Sequence, residues 1–274
     1  MSMNSRESTR FIAALGNETT IPQDQALWEI KSFLQIYSVN ENIQLGHSSL
    51  QQPPLYWVLS TILWDFDSVY PRILILLEHG AELNVLYKVN SVVTTPLHLV
   101  MTKLLESEDS NTISLGRLLV SNGADPNFQA EVCPLLCDCL ELHYRSVDII
   151  VFLMEIGTNP NQFGKRGWTA LMFAVEAGYN DNVDVLLRYG ANPTYRSKQP
   201  REREPCHPLY TDISAIEFAC ALGRLSCLEL CLKYICKGPT RQPLLLRTLV
   251  IACESGHASI VFFLLTRLLL PEVC

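Results

Sequence analysis

The chain has 274 residues, 48% of them hydrophobic and 18% charged, and a formal net charge of −7. That much apolar surface excludes a chain disordered throughout, and the acidic balance argues against nucleic acid as the main partner. The longest unbroken apolar runs, Ile149 to Met154 and Ile260 to Leu265, fall far short of the about 20 residues that a membrane span needs.

Residues 1–50 hold two helical patterns. Ser8 to Leu15 is short; Gln23 to Tyr37 is better formed, with Leu27, Ile30, Phe33 and Leu34 on one side and Pro22 near its start. The pair reads as an N-terminal helical cap or a degenerate repeat, and residues 51–274 as one repeat domain.

The first repeat opens at Pro53-Pro54-Leu55-Tyr56-Trp57-Val58 and closes at Leu76-Leu77-Glu78-His79-Gly80-Ala81. Its middle is long and carries Trp64, Phe66 and Tyr70, with Pro71 where a second helix would begin. Tyr56 and Trp57 are expected in the packing between repeats. The second repeat opens Thr95-Pro96-Leu97-His98-Leu99-Val100, closes Gly123-Ala124-Asp125-Pro126-Asn127, and has a polar stretch, Glu106 to Asn111, read as a solvated loop. The third opens Cys133-Pro134-Leu135-Leu136-Cys137-Asp138 and closes Gly157-Thr158-Asn159-Pro160-Asn161. Asp138 stands where a small apolar residue is wanted, so it needs a partner or a shifted helix.

The fourth repeat, Gly167 to Thr194, has the most regular pattern. Leu171, Ala174 and Val175 share one helical face, and Val183, Leu186 and Leu187 share a second. Asn180 and Asp181 are placed to cap the second helix, and Gly190 to end it. The fifth opens Ser214-Ala215-Ile216-Glu217-Phe218-Ala219 and the sixth Arg247-Thr248-Leu249-Val250-Ile251-Ala252. The last helix carries an apolar side through Leu268-Leu269-Leu270, as if it met a partner or continued in a longer chain.

Openings near 53, 95, 133, 169, 214 and 247 make about six units. Their wording resembles the ankyrin repeat, whose T-P-L-H-x-A start recurs about every 33 residues. Thr95 to Val100 and Thr169 to Ala174 carry the resemblance best. It implies an all-α solenoid of stacked helix–turn–helix units and a non-catalytic protein–protein interaction module, binding through a concave face and loop tips. It also implies a structural role for His98. By position, the fourth repeat then places Lys165, Arg166 and Trp168 on a loop tip and Glu176 on a first helix. Trp64, Phe66 and Tyr70 form a second candidate surface. A long insertion, Tyr195 to Asp212, brings Arg201 and Arg203 as a third.

No nucleotide loop, metalloprotease, hydrolase or kinase motif is present, so no catalytic residue and no cofactor is expected. Cys133, Cys137, Cys139 and His143 form one metal-like cluster with unusual finger spacing. A metal- or redox-regulated module or enzyme built on it is the competing reading, and nucleic-acid binding through the basic insertion is another. The other cysteines are read as small hydrophobes in a reducing cytosol, Cys220 and Cys253 being buried in equivalent helices. A cytoplasmic location is expected, with the nucleus left open.

Overall fold

The computed structural model describes residues 5–16, 22–40, 43–44, 51–61, 66–89, 92–103, 110–128, 134–141, 146–198, 212–235 and 241–269. Trp64, Arg201, Arg203, Cys133 and His143 lie outside the described residues. The chain divides into two compact units, Met1–Phe128 and Gln129–Cys274.

The first unit contains the helix pairs α1 (Ser5–Leu15) with α2 (Gln23–Leu34), α3 (Pro54–Thr61) with α4 (Phe66–Glu78), and α5 (Pro96–Lys103) with α6 (Ser110–Ser121). Its loops include two short antiparallel hairpins, β1 (Ile43–Gln44) with β2 (Gln51–Gln52) and β3 (Tyr87–Val89) with β4 (Val92–Thr94). α1 packs on α3, α2 on α4, and α3 on α5. The second unit contains α7 (Leu135–Glu141) with α8 (Val147–Glu155), α9 (Ala170–Ala177) with α10 (Asn180–Arg188), α11 (Ala215–Ala221) with α12 (Leu225–Lys233), and α13 (Arg241–Glu254) with α14 (Ala258–Leu269). There α7 packs on α9, α8 on α10, α9 on α11, α10 on α12 and α11 on α13. The all-α expectation holds, and within each unit helix pairs lie against their successors.

The sequence explains the stacking. A short helix pair buries its stripe only against a neighbour. Leu171, Ala174, Val175, Val183 and Leu186 are fully buried, and Leu187 nearly so. The small residues Ala174, Ala219 and Ala252 recur at one place in their helices, all with no exposure, where one backbone approaches the next.

Four of the pairs are closed by the same backbone device. Gly80, Gly123, Gly157 and Gly190 have positive φ. Each N–H donates to the carbonyl three residues back, and the following N–H to the carbonyl five residues before itself, as in Gly190 to Leu187 and Ala191 to Leu186. Only glycine takes this left-handed turn cheaply, so the four closes share one word in the sequence.

An asparagine then ties one close to the next. The Asn161 amide donates to the Gly190 carbonyl at 2.9 Å and accepts from the Asn192 N–H at 2.7 Å. Asn84 does the same with Gly123 and Asp125, and Asn40 with Gly80 and Glu82. Asn40 follows α2, so the first helix pair is joined to the next as the later pairs are.

Several local expectations change. Pro71 does not open α4; it lies inside it. Proline cannot donate to the carbonyl four residues back, that of Asp67. The Gln23 side chain donates to that carbonyl at 3.3 Å. Phe66 and Tyr70, expected in an insertion, therefore lie in a helix. Asn180 and Asp181 do not cap α10: its cap is Tyr179, with no side-chain bond, and the Asn180 Oδ1 accepts from the Cys227 thiol at 3.1 Å. The αL turn at Gly178 already orders that end. Asp138 is half-buried. α13 begins at Arg241, earlier than the repeat pattern indicates, with Pro243 in its first turn, where proline fits. Cys220 is buried as expected, but Cys253 is exposed, because no helix pair covers that face of α13 among the described residues.

Truncating Leu186 to Ala should cost ~2–5 kcal/mol, as for other buried leucines. Urea unfolding measures this; a loss under ~1 kcal/mol would mean that the buried faces are misassigned.

Candidate partner-binding surface

Two loop fingers of the second unit stand side by side. The first, between α8 and α9, is a tight hairpin. Phe163 bridges to Thr169, the Gly164 N–H donates to the Trp168 carbonyl at 2.8 Å, and Gly167 turns with a φ of 70°. The second leads from α10 into the insertion. Arg196 bridges to Ser214; the Ser197 N–H donates to the Ile213 carbonyl, and the Ile213 N–H to the Ser197 hydroxyl. The Lys198 N–H donates to the Gly167 carbonyl at 2.9 Å and holds the fingers together.

Trp168, expected as an exposed anchor, is 5% exposed. Its ring lies 5.3 Å from that of Phe173 and 5.0 Å, edge-on, from that of Phe218. It is a core residue, because the hairpin turns it inward onto α9 and α11. Arg166 covers this cluster, its guanidinium 5.7 Å from the Trp168 ring, and its Nε pairs with Glu141 at 2.8 Å. Lys165 is half-exposed on the tip of the same finger. Glu176 lies on α9, half-buried, and its backbone carbonyl accepts from Arg224 at 3.1 Å.

Phe163, absent from the sequence-level candidates, and Tyr195 and Lys198, at the start of the candidate insertion, join Lys165 and Arg166. Phe163 is half-buried, Tyr195 is 43% exposed, and their rings stack at 6.5 Å. The Lys198 ammonium stands 4.1 Å from the Phe163 ring centre, within cation–π range. The signal in the sequence was positional: Phe163 comes three residues after Pro160 and Tyr195 two after Pro193, each proline following a close. In the first unit Phe66 opens α4 and Tyr70 is half-buried on it, so these two residues of that candidate are helical.

The base of the second finger holds a buried carboxylate. Glu217, fully buried, occupies the place that His98 takes in the second repeat. It accepts from the Ser214 N–H at 2.8 Å and pairs with Arg196 at 3.1 Å and Arg247 at 2.5 Å. Arg196 also reaches Asp212, whose φ of 55° is the positive value held by a non-glycine among the described residues. Two guanidiniums on one buried carboxylate satisfy its lone pairs and offset its desolvation.

Among the described residues no three His, Cys, Asp or Glu gather to hold an ion. Cys137 and Cys139 are buried, and the Cys137 thiol points at the Gln162 carbonyl, 3.6 Å away. Burial, with Asp138 nearby, pushes the Cys139 thiol up. Burial, with Glu217 nearby, pushes the Cys220 thiol up to about 12.

The class of protein follows from the repeated closes, the stacked helix pairs and the comparisons together. Ankyrin repeats (3 copies) match residues 104–197. An ankyrin repeat domain from Acinetobacter baumannii AYE has the same fold, with a TM-score of 0.58 and 20% identity, over 83% of this chain and 98% of that one. The Homo sapiens 2-5A-dependent ribonuclease is 44% identical over 55 residues, which are 20% of this chain and 7% of that protein. The chain carries ankyrin repeats in an all-α ankyrin-repeat fold. No described helix is long and apolar enough to cross a membrane.

Two predictions come from the buried groups. Replacing Glu217 with Ala leaves two arginines facing a void; since both are partly exposed, the loss should be ~1–3 kcal/mol in urea unfolding. In the folded chain Cys220 binds its proton up to about pH 12, while an ordinary thiol releases it near 9. The unfolded state then holds fewer protons between these values, so stability should fall as pH rises through that window. Melting under reductant from pH 8 upward measures it, and Cys220→Ala should flatten the slope.

Proposed function

We propose that this chain is a non-catalytic binding module that captures a protein through the two fingers, with Phe163, Tyr195 and Lys198 at the centre and Lys165 and Arg166 beside them. The observation that carries the reading is the Lys198 ammonium over the Phe163 ring beside the exposed Tyr195, on a frame held by backbone bonds. A preformed frame lowers the ordering cost of association. Aromatic rings and cations at the same spot suit a segment that brings a carboxylate next to an apolar side chain. Ankyrin repeats generally serve as protein-binding modules and typically lack catalysis, which supports the reading. The buried free thiols Cys137, Cys139, Cys220, Cys227 and Cys231 favour a reducing intracellular compartment.

The test is affinity capture from a lysate, read by mass spectrometry. The intact chain is compared with the triple variant Phe163→Ala, Tyr195→Ala, Lys198→Glu and with an exposed control, Glu229→Ala. A protein retained by the chain and the control but lost from the triple variant is the expected result. Capture that is equal in all three removes the fingers as the site. Trp168→Ala belongs to another class: it should cost ~3–5 kcal/mol of stability as a core truncation.

A further inference from the structure

The outer face of α13 and α14 is apolar and open. Leu246 is 53% exposed, Val250 55%, Phe262 72% and Leu269 74%, with Cys253 and Leu265 between them. A groove of about 440 Å³ runs between the two helices, floored by Ala252 and Gly256. The residues are best judged by their places in the earlier repeats, counted from the inter-helix glycines Gly178, Gly223 and Gly256. Val250 stands where Met172 and Glu217 stand, Cys253 where Val175 and Cys220 stand, and Leu265 where Leu187 and Leu232 stand. All six earlier residues are buried, in pairs that a following pair covers. The open face of α13 and α14 is therefore the surface on which one repeat meets the next. It is also more apolar than its predecessors: Phe262 takes the place of Asp184 and Glu229, which are polar and reach solvent.

We propose that this face docks against the same face of a second copy of the chain, around a twofold axis near Val250. Charge supports that occupant. Arg247, Val250 and Glu254 lie on one side of α13, at spacings of three and four. A twofold axis at Val250 runs the two α13 helices antiparallel and sets Arg247 of each copy opposite Glu254 of the other. The Arg247 side chain is 57% exposed while it holds Glu217, and Glu254 is exposed. Between these charges the face carries no ionisable group except the Cys253 thiol, so apolar surface meets apolar surface with ion pairs at the rim. Size sets the strength. α13 has 14 residues, so the face is about 20 Å long and, two helices wide, about 20 Å across. That is about half of the ~800 Å² per partner that a stable complex buries. The dimer is thus reversible, and it leaves the two fingers to a different partner.

Sedimentation velocity of the full chain under reductant, from low-micromolar to several hundred micromolar, tests this. The expected result is a mass that doubles with concentration. Val250→Asp and Phe262→Asp should each hold the chain as a monomer with an unchanged melting curve. Glu254→Lys, which sets two cations opposite each other, should weaken association about tenfold. A chain that stays monomeric throughout overturns the proposal, and so does a dimer that survives Phe262→Asp. Association lost in Phe262→Asp but indifferent to Glu254→Lys overturns the twofold arrangement. A different protein held by the wild-type face, with no self-association, gives the face to another occupant.

Discussion

The structure depends on a single amide. Asn161 accepts one backbone N–H and donates to one backbone carbonyl of the following repeat, and Asn84 and Asn40 repeat the arrangement. Apolar contact alone would let one helix pair slide on the next, because burial has no direction. Two hydrogen bonds of opposite polarity fix the offset. The closes at Gly80, Gly123 and Gly190 each present a carbonyl and the N–H two residues on in the same geometry, so an asparagine fits all three.

Much of this was legible in the chain. Leu171, Ala174, Val175, Val183 and Leu186 were placed in the core from spacing alone, and the four closing glycines were identified from their neighbours. Periodicity could do this because it reports which side faces inward. What it could not report was the direction of a residue in a hairpin. Trp168 was read as a surface anchor because it precedes α9 in a loop. The Gly164–Trp168 bond and the turn at Gly167 aim it inward instead. Residue type carried the wrong inference, since an indole suits an interface and a core equally.

The remaining differences have one origin, groups distant in sequence that complete each other. The Asp67 carbonyl freed by Pro71 takes its donor from Gln23, and no local rule connects residues 44 apart. Glu217 replaces a histidine in the repeat pattern and would be an anomaly by itself. With Arg196 at the start of the insertion and Arg247 on α13, it becomes the pin that joins three segments. The partner-facing residues behave similarly. Phe163, Tyr195 and Lys198 are unremarkable singly, and only the bond between Lys198 and Gly167 makes them neighbours.

The asparagine ties also separate chain length from stacking. The bonded residues lie 40 apart at Asn40, 39 at Asn84 and 29 at Asn161, yet the geometry is unchanged. Part of the additional length goes into helices, α4 having 13 residues and α6 12 against 9 in α10, and part into the segments between helices, where lengthening a loop costs little. The scaffold therefore tolerates loops of different length at its periphery while the asparagine ties hold the spacing of the stack.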